Sequence, residues 1–443
     1  MKRIDLVDTT FRDGQQCLWA TRMSTETMLP VAERLDSAGF SAIEVIGAVQ
    51  FDAAVRYLKE NPWQRLRLLS ERITRTPLQA VVRSSCILSF EPQAEDINRL
   101  WIERLVANGM RKFVAFDGLH DIGNLVPALL HAKSLGAYTT GWLTFSDSPV
   151  HTDTLYCAKA REFIERADVD ALMIEDASGV LTPERVRTLV PALREVIGDM
   201  SLGLHSHGLA GLPQRTYLAA AELGVDNLYT CVPPVADGNA PPSAYTTARN
   251  LRYVGFDVAV DESALDPVRD HLNAVARYED KPIGRPMDYD AAACGHQVPG
   301  GVMSNLEAQL VAAGLADKLP EVLDECTRVR ADLGWPIQVT PFAQFIGVQA
   351  TLNIIQGERY RTVPDEVKKY ALGYYGKLLS PVEPDVLDRI MENGSSYIAE
   401  QREAPGPVLP ALRKRYPGLD DEERMLRYFF DGGIVHSMNA TTG

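Results

Sequence analysis

The 443-residue chain lacks most of the signals that assign a protein quickly. Its six cysteines, at 17, 86, 157, 231, 294 and 326, form no C-x-x-C pair, which argues against a zinc knuckle or a disulfide framework. Free thiols in a reducing cytoplasm are the expectation. No apolar run approaches the ~20 residues of a membrane helix. The N-terminus enters Ile4-Asp-Leu-Val7 without a leader-like apolar region, so a cytoplasmic location is expected. Positive charge is in deficit: 45 Lys and Arg against 59 Asp and Glu give a net charge of -14. That disfavours nucleic acid and anionic membrane as partners, since both bind basic surfaces. No glycine-rich phosphate loop follows the first apolar run, where a doubly wound dinucleotide-binding sheet would carry one.

What is present is a repeat of short β-rich runs, each followed by a helix-like segment. The runs are Ile4–Thr10, Ala42–Gly47, Leu78–Arg83, Lys112–Asp117, Ala137–Phe145, Ala171–Asp176, Ser201–His207 and Asn227–Val235. Between them lie amphipathic stretches such as Met28–Leu35 and Pro183–Arg194; Thr182 is placed to cap the latter, and Pro183 suits a first helical turn. Gly39, Gly109, Gly136 and Gly224 each stand just before a strand, as helix stops do. Eight β–α repeats imply a (β/α)8 TIM barrel over residues 1–260. From Glu262 the pattern turns helical, with amphipathic runs at Asn305–Ala313 and Leu319–Leu333, so residues 261–443 are expected to form a mostly helical C-terminal extension. Pro299-Gly-Gly301 reads as a turn, and Pro62-Trp63 and Tyr374-Tyr375 read as packing.

A barrel of this kind puts its chemistry at the carboxyl ends of its strands. Asp8, Arg83, Asp117, Glu175, Asp176, His205 and His207 fall at or near such ends. His205 and His207, at i and i+2 on one strand, share a face. With Asp8 they read as ligands of a divalent metal (zinc, manganese or cobalt) that would polarise a substrate carbonyl. Glu175 is a further candidate ligand; a cap or loop acceptor is the alternative for Asp176. Arg12, Gln16 and Arg83 are candidates for holding a carboxylate or an enolate oxygen. Structural salt bridging at the barrel rim is the alternative for the arginines.

The stretch Asp8-Thr-Thr-Phe-Arg-Asp-Gly-Gln-Gln-Cys-Leu-Trp-Ala-Thr-Arg-Met23 resembles the opening motif of the biotin-dependent carboxyltransferases. That family includes the pyruvate carboxylase carboxyltransferase domain, the oxaloacetate decarboxylase α subunit and the transcarboxylase 5S subunit. Similar motifs recur at Phe51–Leu58 with Pro62–Leu66, at Ser148–Thr152, and at Val298–Leu306. Others are Val339-Thr-Pro341 and Gly357–Tyr360 with Glu366-Val-Lys368. The resemblance spans nearly the whole chain. It implies a metal-centred barrel with a funnel-like helical domain, often a dimer. Asp8, His205 and His207 would hold the metal, and Gln16 and Arg83 the 2-oxo acid, with Arg12 and Asp13 beside them as catalytic residues. Carbon–carbon cleavage would leave the enolate of pyruvate.

Departures from the family pattern cluster at the site. The family carries a lysine at the end of the sixth strand that becomes carboxylated and serves as a ligand; here that position is Glu175. A proton-shuttling threonine is expected within Gly238–Ser243, where Asn239 or Ala240 stands instead. An arginine usual in the fourth strand is Val114, and the histidine of the opening motif is Gln15 beside Gly14. No Met-Lys-Met biotinyl motif occurs, so any biotin must come on a separate carrier protein. The expected function is a metal-dependent carboxyltransferase or decarboxylase of a 2-oxo acid of the oxaloacetate/pyruvate type, with biotin use left open. An aldol- or Claisen-type lyase or synthase on the same barrel, and a non-catalytic partner subunit, are the alternatives.

Overall fold

Runs rich in Val, Ile, Leu and Phe, with both faces covered, favour parallel strands joined by helical crossovers. In the computed structural model, which describes residues 2–89, 91–399 and 405–441, eight parallel strands close in chain order, and the last pairs with the first. They are β1 Asp5–Asp8, β2 Ala42–Ile46, β3 Leu78–Arg83, β4 Met110–Phe116, β5 Tyr138–Thr144, β6 Ala171–Asp176, β7 Ser201–Ser206 and β8 Asn227–Thr230. All eight expected runs are strands. β1 stops two residues and β8 five residues earlier than their sequence runs, because the chain leaves the sheet there to build the loops at the barrel mouth.

The local signals act as expected. Thr182 caps the helix Pro183–Ile197 by accepting from the Arg185 N–H. Gly39, Gly109, Gly136 and Gly224 all have positive φ. Pro299-Gly-Gly301 differs: Pro299 is the N-cap and Gly300 opens the helix Gly300–Ala312. Proline there removes only a donor that the first helical turn leaves unused.

Strand alternation sorts the side chains into two layers. Leu6, Ile43, Val45, Phe113, Leu143, Leu172, Ile174 and Leu204 face the surrounding helices. Val7, Ala42, Val81, Val114, Trp142, Met173 and Tyr229 fill the barrel axis. Above that axial layer, β5, β6 and β7 align Thr144, Glu175 and His205 in register.

The apolar cores do not divide at residue 260. The helix Glu262–Tyr278 contributes Leu265, Val268 and Leu272 to the barrel's outer core, and Leu412, Met425, Leu426 and Phe430 return to it from near the C-terminus. A second core runs from Val298 to Ile390, with Leu119 of the barrel joining it. Gln297 fastens the two. Its Oε1 accepts from Ser146 Oγ (3.0 Å) and the Asp147 N–H (3.2 Å), its Nε2 donates to Asp147 O (2.7 Å), and its own carbonyl accepts from Ser178 Oγ (2.7 Å). No helix among the described residues is long and apolar enough to cross a membrane.

Candidate active site

The loop after β1 carries the first acid of the site. Thr10–Gly14 forms a single π-turn, a widened turn common at functional positions, capped by Thr9, whose hydroxyl accepts from the Asp13 N–H. Gly14 is required by close approach: a Cβ there would meet Val235 O at 2.4 Å. The turn brings Asp13 onto the barrel axis. Its Oδ2 lies 2.9 Å from His205 Nε2 and 3.0 Å from His207 Nε2, and those two nitrogens are 3.1 Å apart. All three residues are buried, and their ligand-type atoms lie within 4.8 Å of one another.

Asp8 is not in this group. Val7 packs into the axial layer, so Asp8, next along the strand, faces the other way. Its carboxylate accepts from Thr10 Oγ1 (2.5 Å) and the Thr10 N–H (3.2 Å). Burial pushes its pKa up to about 7, partly opposed by those bonds. The acid that ends the strand braces the turn, and the acid inside the turn meets the histidines.

The electrostatics suit a cation. Burial alone would raise the Asp13 pKa, but Arg12 and the two histidines outweigh it and hold this carboxyl well below its usual range. Burial lowers His205, whereas Asp13 and Cys17 overcome burial at His207 and raise it. His207 Nδ1 lies 2.8 Å from the Asn239 carbonyl, which fixes the ring and turns Nε2 toward Asp13. One carboxylate and two imidazoles, with a carbonyl behind one ring, fit a divalent transition ion. Glu175 lies next to His205 in the strand register but outside the group of three. Its Oε2 is buried without a hydrogen-bond partner, and burial pushes its pKa up to about 7, with His207 opposing. Such a carboxyl is suited to gain a cationic partner.

Gln16 and Arg83 stand at the rim. Gln16 Oε1 accepts from Gln50 Nε2 (2.7 Å), which leaves the Gln16 amide N–H groups to donate. Arg83 ends β3 and donates to Ser89 O (2.7 Å) and Ile87 O (3.3 Å). It shares a cleft between the barrel mouth and the second core with Ser84, Asp117, Phe342 and Tyr375. Arg12 is engaged on two sides: Nε with Glu44 Oε1 (2.5 Å) and Nη1 with Asp13 Oδ1 (3.0 Å). Asp117 and Asp176 are structural acceptors. Asp117 takes the Leu119 and Asp121 N–H groups and Asn124 Nδ2; Asp176 takes the Val180 and Leu181 N–H groups and Ser206 Oγ.

Sequence reasoning missed Glu44 and Gln50. Glu44 is fully buried and takes Thr9 Oγ1 (2.8 Å) and Gln79 Nε2 (2.7 Å) besides Arg12. A charge in the middle of Ala-Ile-Glu-Val-Ile, on the inward-facing parity, was the available signal. Gln50 carried none.

A closed (β/α)8 barrel with a carboxylate–imidazole cluster at the carboxyl ends of its strands defines the class: a barrel enzyme scaffold whose clustered residues could hold a metal ion. Residues 294–422 match the family model of the conserved carboxylase domain. The chain is 40% identical over 409 residues to a pyruvate carboxylase subunit of Methanocaldococcus jannaschii, covering 92% of this chain and 71% of that protein. It is 30% identical over 436 residues to the methylmalonyl-CoA carboxyltransferase 5S subunit of Propionibacterium freudenreichii subsp. shermanii, covering 95% and 85%. The fold matches the carboxyl transferase domain of Rhizobium etli pyruvate carboxylase, solved with pyruvate, with a TM-score of 0.89 at 23% identity over 99% of this chain and 77% of that one. The chain belongs to the carboxyltransferase family of pyruvate carboxylase and transcarboxylase.

Proposed function

We propose that this protein is a metal-dependent carboxyltransferase or decarboxylase acting on a small 2-oxo acid of the oxaloacetate/pyruvate type. The observation that carries this reading is the convergence of Asp13, His205 and His207 on the axis of a carboxyltransferase-family barrel. These three would hold the metal, with Glu175 as the fourth ligand. The ion, when bound, supplies Lewis acidity toward a carbonyl oxygen. Arg83 and the Gln16 amide are the donors for the 2-oxo acid, while Arg12 holds Asp13 in place from Glu44. In the decarboxylase direction the bond between C3 and its carboxylate would break, the carboxylate leaving as CO2 (or passing to biotin on a carrier chain) while the bonding electron pair enters the enolate, and a proton from water at C3 would complete pyruvate. Burial of the cluster strengthens every charge interaction in it.

No threonine stands within Gly238–Ser243, where the family's shuttle residue is expected. Ala240 is buried, and Asn239 offers His207 its backbone carbonyl. Any biotin would be presented by a separate carrier chain. Supplying oxaloacetate to the metal-loaded protein, with and without biotin, and following pyruvate tests the reading. Turnover above that of a His205→Ala variant at the same free metal is the expected result. No turnover in either condition would count against it.

A further inference from the structure

Several buried polar atoms of residues beside the cluster have no hydrogen-bond partner. Arg12 uses Nε and Nη1 on Glu44 and Asp13, but its Nη2 is buried and unpartnered. Trp142 Nε1 and Thr144 Oγ1 are likewise buried and unpartnered. The Arg12 guanidinium carbon is 5.7 Å from the Trp142 ring centroid, and the Trp142 ring is 5.8 Å from that of His205. Thr144 lies two residues along β5 on the same inward face, directly beside Glu175 in register. Phe116 stacks on Trp142 with ring centroids 5.7 Å apart.

A buried donor without an acceptor is costly, and native proteins rarely keep one without cause. Trp63 Nε1 is also unpartnered, but it sits in an aromatic cluster with Phe51 and Trp101, and packing explains it. Trp142 is different. It belongs to an otherwise apolar layer of Val, Ala, Met and Tyr, yet its ring lies under a guanidinium and against a histidine of the cluster. A guanidinium, an indole N–H and a hydroxyl together match a carboxylate or enolate oxygen, which accepts several hydrogen bonds at once.

We propose that Trp142 Nε1, Thr144 Oγ1 and Arg12 Nη2 form an oxyanion seat on the barrel axis that receives one end of a small, planar 2-oxo acid or its enolate. This rests on the function proposed above and adds Trp142, Thr144 and the free Nη2 of Arg12 to the Arg83 and Gln16 donors named there. The residues of the seat adjoin the cluster, Arg12 through Asp13, Trp142 through His205 and Thr144 through Glu175, so a ligand held there would lie beside the metal position. The size of Trp142 restricts the axial end of the site to a short substrate.

Oxalate, a planar dianion with the shape of the pyruvate enolate, is the probe. It is titrated calorimetrically into the zinc-loaded protein and into the W142F and T144V variants, with bound zinc and Tm measured for each. The expected result is that wild type binds oxalate and each variant binds it about tenfold more weakly, with zinc content unchanged. T144V should hold its Tm or gain slightly, since the ligand-free hydroxyl has no partner to lose. That combination separates a ligand contact from a packing role. If W142F loses zinc or unfolds, T144V decides. Kd values within twofold of wild type in T144V, and in a folded W142F, overturn the seat while leaving the proposed function standing. A wild-type protein that binds zinc but neither oxalate nor pyruvate overturns both.

Discussion

Asp8 and Asp13 are five residues apart and do opposite work. Asp8 ends a strand with its carboxylate on the Thr10 hydroxyl and N–H, while Asp13 meets both histidines. The sequence shows an acid at a strand end but does not display the inward parity of Val7 or the π-turn, and those decide which acid faces the axis. His205 and His207 were readable because i, i+2 on a strand is a local rule. Glu44 and Gln50 were harder, since their partners lie more than 30 residues away. Two predictions belong at this scale. Asp13→Asn should reduce bound metal from about one per chain to near none, whereas Asp8→Asn should leave it unchanged; metal analysis after dialysis checks both. Glu175→Gln should weaken metal binding at least as much as the roughly 10- to 100-fold typical of lost outer-shell partners, read by chelator competition.

Elements were the most legible level. All eight strands follow from short β-branched runs between helix stops, because covering both faces of a strand leaves a strong apolar signature. The ends of β1 and β8 were not legible, since the loops at the barrel mouth are held by side chains from other elements. A clasp of the same kind, at the amino end of the strands, secures the approach to β3. The Asp36 carboxylate accepts from the Thr74, Arg75 and Thr76 N–H groups at 3.0, 3.1 and 2.7 Å. Burial opposes its charge, but those bonds outweigh it and lower its pKa. A lowered folded pKa stabilises above the unfolded value and loses that contribution as pH falls through the folded one. Asp36→Ala should therefore cost about 1–3 kcal/mol at pH 7. The Tm gap to wild type should close as pH drops below about 4.

At the scale of the whole molecule, two cores meet at the barrel mouth, and Gln297 ties them across Ser146, Asp147 and Ser178. Its side chain reads the loop after β5, and its carbonyl holds the loop after β6, two turns that flank Thr144 and Glu175. The helical character of the second half was plain in the sequence. The return of Leu412, Met425 and Phe430 to the barrel was not, because an amphipathic helix does not state which core it will cover. Gln297→Ala should speed amide exchange in the loops after β5 and β6 while leaving the β1–β4 strands protected, as hydrogen-exchange mass spectrometry would show.

If Asp13, His205 and His207 hold a metal that lets this barrel stabilise the enolate of a 2-oxo acid, the protein should exchange the methyl protons of pyruvate in D2O. Followed by NMR, that exchange reports enolate formation without a carboxyl donor. Metal-loaded protein should wash out the methyl signal, chelation should stop this, and Asp13→Asn at the same free metal should stay inert. No exchange with the loaded protein, or equal exchange with Asp13→Asn, would contradict the assignment of the metal centre.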